Sequence, residues 1–144
     1  MTIKTWSLIG IAALIAIFLL TRGGANDGAD PAAKIAAGAP MVTVQLPAEL
    51  SAKAVMGKRA FDAVCADCHG TDAAGQQGIA PPLVHKIYEP SHHADMAFVL
   101  AAQRGVTAHH WGFGNMPPVD GLTRADVANI IAYVRELQRE NGIN

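Results

Sequence analysis

The chain is poor in three things. It holds only two cysteines, Cys65 and Cys68; its charges nearly cancel, with 11 Lys and Arg against 12 Asp and Glu; and outside residues 41–46 no segment alternates in the manner of a strand. Near-neutrality argues against nucleic acid, or any strongly charged surface, as a partner. Missing alternation leaves helices and irregular loops as the building material. No internal repeat is present, and 144 residues leave room for one domain plus an appendage, not for two full domains. Two cysteines this close together narrow to a redox dithiol, half of a zinc site, or the attachment point of a prosthetic group. The residue after the second one decides between them.

Apolar residues make up 51% of the chain, high for a soluble protein, but they are unevenly placed. From Trp6 to Leu20 there is no charged residue, and Thr21 and Arg22 follow at once. Counted from Ile3, the run is 18 residues. As a helix that is about 27 Å, just short of a full hydrocarbon core. Lys4 ahead of it favours a cytoplasmic N-terminus and an exported remainder. Residues 1–22 therefore read as a transmembrane signal anchor or as a cleaved signal peptide. Small Gly23 and Ala25 would permit cleavage after Ala25, whereas Arg22 stands where a cleavage region is usually uncharged, which favours the anchor. Either reading carries the rest of the chain out of the cytoplasm. Residues 23–47 read as a flexible tether, because Gly23 to Gly38 is rich in Ala, Gly and Asp and has no periodic apolar face. Met41 to Leu46, between Pro40 and Pro47, suits either a segment lying extended on the domain or a continuation of the tether.

Residues 48–144 read as helices separated by long loops. Ser51 can cap a first helix running to about Val64, with Val55, Met56, Ala60, Phe61 and Val64 on its apolar side. Ser91, just after Pro90, can cap a second in which Met96, Val99 and Leu100 recur at helical spacing and which Gly105 ends. Thr123 and Asp126 form a capping-box pattern at the head of a third. There Val127, Ile130, Ile131, Val134 and Leu137 make a clear stripe, with Gly142 past the end. Loops from Gly70 to Glu89 and from Val106 to Leu122 are long for a domain of this size. Three short helices bury little core, so something large and apolar has to fill the middle.

Cys65-Ala66-Asp67-Cys68-His69 supplies that filler, being a complete C-x-x-C-H haem attachment sequence. The two thiols add to the porphyrin vinyl groups, and their spacing matches the separation of those groups on one edge of the ring. His69 then lies beneath the iron and ligates it through an imidazole nitrogen. A thioredoxin-like dithiol would open a helix within a βαβ pattern, and no such pattern exists here. A chance occurrence is the bland alternative, and the export signal weighs against it.

On these residues, 48–144 resemble the class I (mitochondrial-type) c-type cytochromes, which carry a single covalent haem c. The resemblance implies an all-α fold: a small domain of about three main helices with long loops wrapped round one haem, preceded here by the transmembrane helix and tether. In that family the attachment motif follows the first helix, and an axial methionine sits in a loop before the last. Met116, in Gly114-Asn115-Met116-Pro117-Pro118, matches that position. As a soft ligand its thioether would favour Fe(II) and raise the reduction potential. Met1, Met41 and Met56 precede the motif, and Met96 falls on the apolar side of the second helix, where it reads as core. Ala80-Pro81-Pro82-Leu83 resembles the family's Gly-Pro-x-Leu segment with Ala in place of Gly. That implies that the Pro81 carbonyl accepts the second ring N–H of His69. The implied iron ligands are thus His69 and Met116, and the implied haem contacts are Cys65, Cys68, Pro81 and Trp111. The Trp111 indole would bond a propionate or simply cover the ring. Gly57 and Phe61, with Tyr133, look like the crossing of the terminal helices. The family's large basic face is missing, since residues 41–144 hold eight Lys and Arg against ten Asp and Glu. Partners of strongly basic members therefore do not transfer.

Five histidines remain: His85 and the adjacent pairs His92-His93 and His109-His110. A second metal site, copper being one ion that imidazole suits, is the sharp reading. Polar loop residues near the haem edge are the bland one, and adjacent side chains on one loop do not easily converge on one ion.

The function these readings imply is a single-electron carrier, not an enzyme, because His and Met fill both axial positions and leave none open for oxygen chemistry. It would shuttle between a donor and an acceptor redox protein, both expected to be membrane complexes, with no nucleic acid and no small-molecule substrate. Its N-terminal helix would hold it in a bacterial inner membrane, haem domain facing the periplasm. The rivals are a haem-bearing subunit of a larger membrane oxidoreductase complex and a metal-binding or sensing module using the paired histidines. A single anchor without small-xxx-small spacing tilts towards the free carrier.

Overall fold

The computed structural model describes residues 36–144, so the expected anchor over 1–22 and the first part of the tether lie outside the described residues. Among the described residues no helix is long and apolar enough to cross a membrane. They are helical and carry no strand, only isolated bridges at Gln76–Ala80 and Val106–Met116.

Helix α1 (Ala52–Val64) starts where expected, with the Ser51 hydroxyl accepting from the Ala54 N–H at 3.2 Å. Ser51 also donates its hydroxyl to Glu136 at 2.6 Å, which pins the head of α1 to the last helix. That last helix, α4 (Arg124–Glu140), opens on a complete capping box. Asp126 N–H donates to the Thr123 hydroxyl at 3.2 Å while the Thr123 N–H donates to the Asp126 carboxylate at 2.9 Å. The stripe of Val127, Ile130, Ile131, Val134 and Leu137 is buried as expected. Between α1 and α4 lie the one-turn α2 (Ala66–His69) and α3 (Asp95–Arg104), with 3-10 turns at Thr71–Ala73 and Lys86–Tyr88.

Helices α1 and α4 cross at Gly57, where a Cβ would stand 1.9 Å from the Asn129 carbonyl oxygen. So close a crossing selects small residues, and the buried row of α1 is Ala54, Gly57 and Phe61. The apolar side expected for α1 is therefore rotated: Val55, Met56 and Val64 are exposed by 39%, 51% and 41%. Phe61 meets Tyr133 edge-on at 5.6 Å between ring centroids, and both are fully buried. This is the helix contact the resemblance implied.

Three further expectations are corrected. Helix α3 begins at Asp95, not at Ser91, and its N-cap Ala94 offers no side chain to the free N–H groups. Residues 89–93 form a turn instead, with the N–H groups of His92 and His93 both donating to the Glu89 carbonyl. Met96 is 62% exposed on this shifted helix, so it is not core. The tether, expected to run to residue 47, does not: Gly38 N–H donates to Gln77, Met41 and Val42 donate to Ala74, and Val44 and Leu50 pack on the core. Gln45 and Asn141 close the segment with a reciprocal pair of bonds at 2.9 and 2.8 Å. Alternation between Pro40 and Pro47 marked the stretch that docks.

A buried polar cluster on α4 organises the long loop. Arg135 donates to the carbonyls of Tyr88 (2.7 Å) and His93 (2.5 Å), to Gln138 (2.6 Å) and to the Asp95 carboxylate (2.9 Å). Gln138 donates to the Leu83 and Tyr88 carbonyls. Residues 83–95 thus hang from two side chains whose buried polar atoms are satisfied.

Candidate functional site

Cys65 ends α1, its N–H donating to Phe61 O at 2.8 Å, and the next turn is closed by Cys68 and His69 N–H groups donating to Cys65 O at 3.2 and 2.8 Å. That single tight turn puts Cys65, Cys68 and His69 on the wall of one cavity of about 490 Å³, a size typical of sites for a sizeable organic ligand. Burial pushes the Cys65 thiol up to about 11, with Cys68 adding to the effect. A reactive thiol needs the opposite shift, so Cys65 is a poor candidate for the attacking group of a disulfide exchange.

The chain then doubles back, Gly75 N–H donating to His69 O at 2.7 Å, and carries Pro81 over the imidazole. His69 Nδ1 lies 2.9 Å from the Pro81 carbonyl oxygen, which can only accept, so Nδ1 carries the proton and Nε2 keeps the free lone pair. Burial holds His69 below its usual range, and the Pro81 bond opposes this. The imidazole is thereby kept neutral and oriented, the state a metal requires.

Met116 lines the same cavity. Its loop is fixed by two backbone bonds, Val106 N–H to Met116 O at 2.9 Å and the reverse at 3.0 Å. Gly105, which ends α3 as expected, has φ +73, and a Cβ there would stand 2.4 Å from the Met116 carbonyl oxygen. This glycine is required twice over, by its backbone angle and by the closeness of the methionine loop.

Trp111 stacks on Phe113 at 5.9 Å and meets His85 edge-on at 5.2 Å. Its indole nitrogen is buried and makes no well-formed hydrogen bond. The Tyr88 hydroxyl beside it is pushed up by burial and held down somewhat by the indole, but the contact falls short of satisfying the donor. A haem fits this wall: two thiols, a neutral oriented imidazole, a thioether, apolar surroundings from Phe61 to Ile131, and one buried donor in want of an acceptor such as a propionate.

Sequence reasoning kept the paired histidines apart, and the structure brings them together. His92, His93 and His110 place one ring nitrogen each within 4.8 Å of one another. His109 lies beside them, 4.2 Å from His110 between centroids. His110 is lowered from its usual value, first by desolvation and then by the charges His109, His93 and His92 can carry. The Arg135–Gln138 cluster also went unread, because its residues are polar positions on an amphipathic helix. The signal for it was their spacing, since Arg135 and Gln138 continue the buried rows of Ile131 and Val134, each four residues on.

Residues 54–138, more than half of the chain, match the family model for Cytochrome c. No curated protein and no solved structure matches the chain significantly.

Proposed function

We propose, because the chain belongs to the cytochrome c family and so carries a covalent c-type haem for electron transfer, that Cys65 and Cys68 hold one haem by thioether bonds, that His69 and Met116 ligate its iron, and that the protein shuttles single electrons between membrane redox complexes. The observation that carries this reading is the cavity shared by both thiols, the Pro81-oriented His69 and Met116.

Bound there, the haem supplies the one-electron Fe(III)/Fe(II) couple. The protein's own residues do the rest. Pro81 fixes the tautomer of His69 and so presents Nε2 for ligation. The Val106–Met116 bridge holds the soft thioether in place, which favours the reduced state. Apolar walls would surround the bound group, and Trp111 has a buried N–H that could donate to a propionate. With His69 and Met116 both holding the iron, no position would be left for substrate, and the activity would be carriage and not catalysis. Export and membrane attachment rest on Lys4, the uncharged run from Trp6 to Leu20 and Arg22. They support a haem domain on the periplasmic face of a bacterial inner membrane.

Met116→Ala tests the ligand assignment. The variant should keep its haem through acid–acetone extraction, because both thioethers remain. It should lose the weak far-red methionine-to-ferric charge-transfer band, and its reduction potential should fall. Haem released from the wild-type chain overturns the thioether assignment, and a band that survives the substitution makes another residue the sixth ligand.

A further inference from the structure

His92 and His93 belong to the turn before α3, whereas His110 belongs to the loop that carries Met116. Their ring centroids form a nearly regular triangle with sides of 4.6, 5.2 and 5.3 Å, and the three interplanar angles lie between 67° and 69°. Edge-to-face contact by itself also suits packed rings; what singles out these three is that their nitrogens converge. One nitrogen from each lies within 4.8 Å of the others. Three imidazoles on a tetrahedral ion would bring those nitrogens to about 3.4 Å of one another. The difference lies within side-chain rotation, since His92 and His110 are exposed.

We propose that His92, His93 and His110 form a second metal site at the rim of the haem pocket, binding one late first-row divalent ion, Cu2+ or Zn2+. The donor set is three neutral nitrogens with no carboxylate among them, which suits these ions and not Mg2+ or Ca2+. Among first-row divalent ions the usual affinity order puts Cu2+ above Zn2+. His93 is already arranged as a ligand. Its Nδ1 stands 2.7 Å from the Ile87 carbonyl, so that atom donates and Nε2 is left with the free lone pair. Metal-bound histidines are commonly oriented by such a bond. Its backbone is held as well, the N–H by Glu89 and the carbonyl by the buried Arg135. Burial of Arg135 on α4 therefore has a local purpose, to fix the more rigid side of the triangle. His110 supplies the adjustable side, with His109 packed on its ring.

The ligands His93 and His110 also line the cavity that takes the haem. A divalent cation there disfavours the extra positive charge of Fe(III), so occupancy should raise the reduction potential. By linkage, reduction should tighten metal binding by the same factor. This coupling rests on the haem reading; the site itself rests on its three histidines alone.

Equilibrium dialysis of the ferric full-length protein against Cu2+, Zn2+ and Mg2+ tests the site. Wild type should take up one equivalent of Cu2+ or Zn2+ and no Mg2+, and bound Cu2+ should show nitrogen hyperfine structure in its paramagnetic resonance. His92→Gln and His110→Gln should each weaken binding by at least about tenfold, the first, which lies off the cavity wall, with the haem spectrum unchanged, whereas His109→Gln should keep the full equivalent. Redox-inert Zn2+ should raise the midpoint potential of wild type and leave that of the His92→Gln/His110→Gln protein unmoved. Uptake that survives this double substitution, equal uptake of Mg2+, or no uptake by a red wild-type protein overturns the site. A colourless chain that still binds one equivalent defeats the haem reading and leaves the metal site standing.

Discussion

At the scale of single residues, the site depends on atoms that are themselves chemically inert. The Pro81 carbonyl decides which nitrogen of His69 is free, and Gly105 decides where Met116 can stand. Gly105→Ala places a Cβ 2.4 Å from the Met116 carbonyl oxygen at a backbone angle of φ +73. A left-handed non-glycine residue costs about 1–3 kcal/mol by itself, and relief of the clash must come from the methionine loop. We expect the variant to retain its covalent haem but to weaken or lose the far-red band and to lower the potential, partway towards Met116→Ala. A Gly105→Ala protein with an unchanged band and only a lower melting temperature would show that the loop yields without moving the thioether. Gly57 is comparable in packing but lies far along α1 from the motif, and its substitution belongs to stability alone.

At the scale of elements, α4 is the frame to which α1, the 83–95 loop and the N-terminal segment are attached. Its head is set by the capping box, in which the Thr123 hydroxyl holds the Asp126 carboxyl below its ordinary value of 3.8, the Thr123 N–H adding to this and desolvation opposing it. A carboxyl lowered in the folded state contributes stability that is present above its unfolded value and is lost as pH falls through the folded one. Asp126→Asn should therefore be less stable than wild type at neutral pH, and the gap should shrink as pH drops below about 4. Chemical denaturation at several pH values measures it, and a gap independent of pH would remove the carboxylate from the account. Thr123→Ala should cost about 1 kcal/mol in the same assay.

This helix was also the most legible part of the sequence, because its cap and its five-residue stripe obey local rules. Helix α1 was legible in extent and not in facing, since the 1.9 Å approach at Gly57 is a property of two helices together and overrode the larger apolar residues. The start of α3 was misread because Ser91 is a good cap in isolation, while the turn at Glu89 and the hold of Arg135 on His93 are long-range. Of the candidate site, the attachment motif and Met116 were readable from spacing and context. The histidine triangle was not, for its members lie on two loops whose meeting is set by tertiary packing.

At the scale of the whole molecule, the proposed anchor raises the question of how far the haem domain could travel from a membrane. The docking of residues 38–46 shortens the stretch that could serve as a tether to residues 23–37. A coil of that length and composition spans roughly 20 Å, less than the ~30 Å breadth of a domain of this size. With residues 1–22 as an anchor, that reach would let the domain turn its haem edge between a donor and an acceptor standing side by side, at high local concentration, but would not let it serve distant partners. Deleting Gly24 to Ile35 would leave about three residues, a reach of roughly 10 Å, and would pin the domain in one orientation. We expect electron delivery in native membranes to slow, while the haem spectrum and potential, set within residues 38–144, stay as they were. The deletion should begin after Gly23 and end at Ile35, because removing Gly38 would break its bond to Gln77 and confuse tether length with folding. Unchanged electron flow in the shortened protein would rule out a tether that limits delivery. A native chain found to start near Asn26 would make the segment a signal peptide and the protein a freely diffusing carrier.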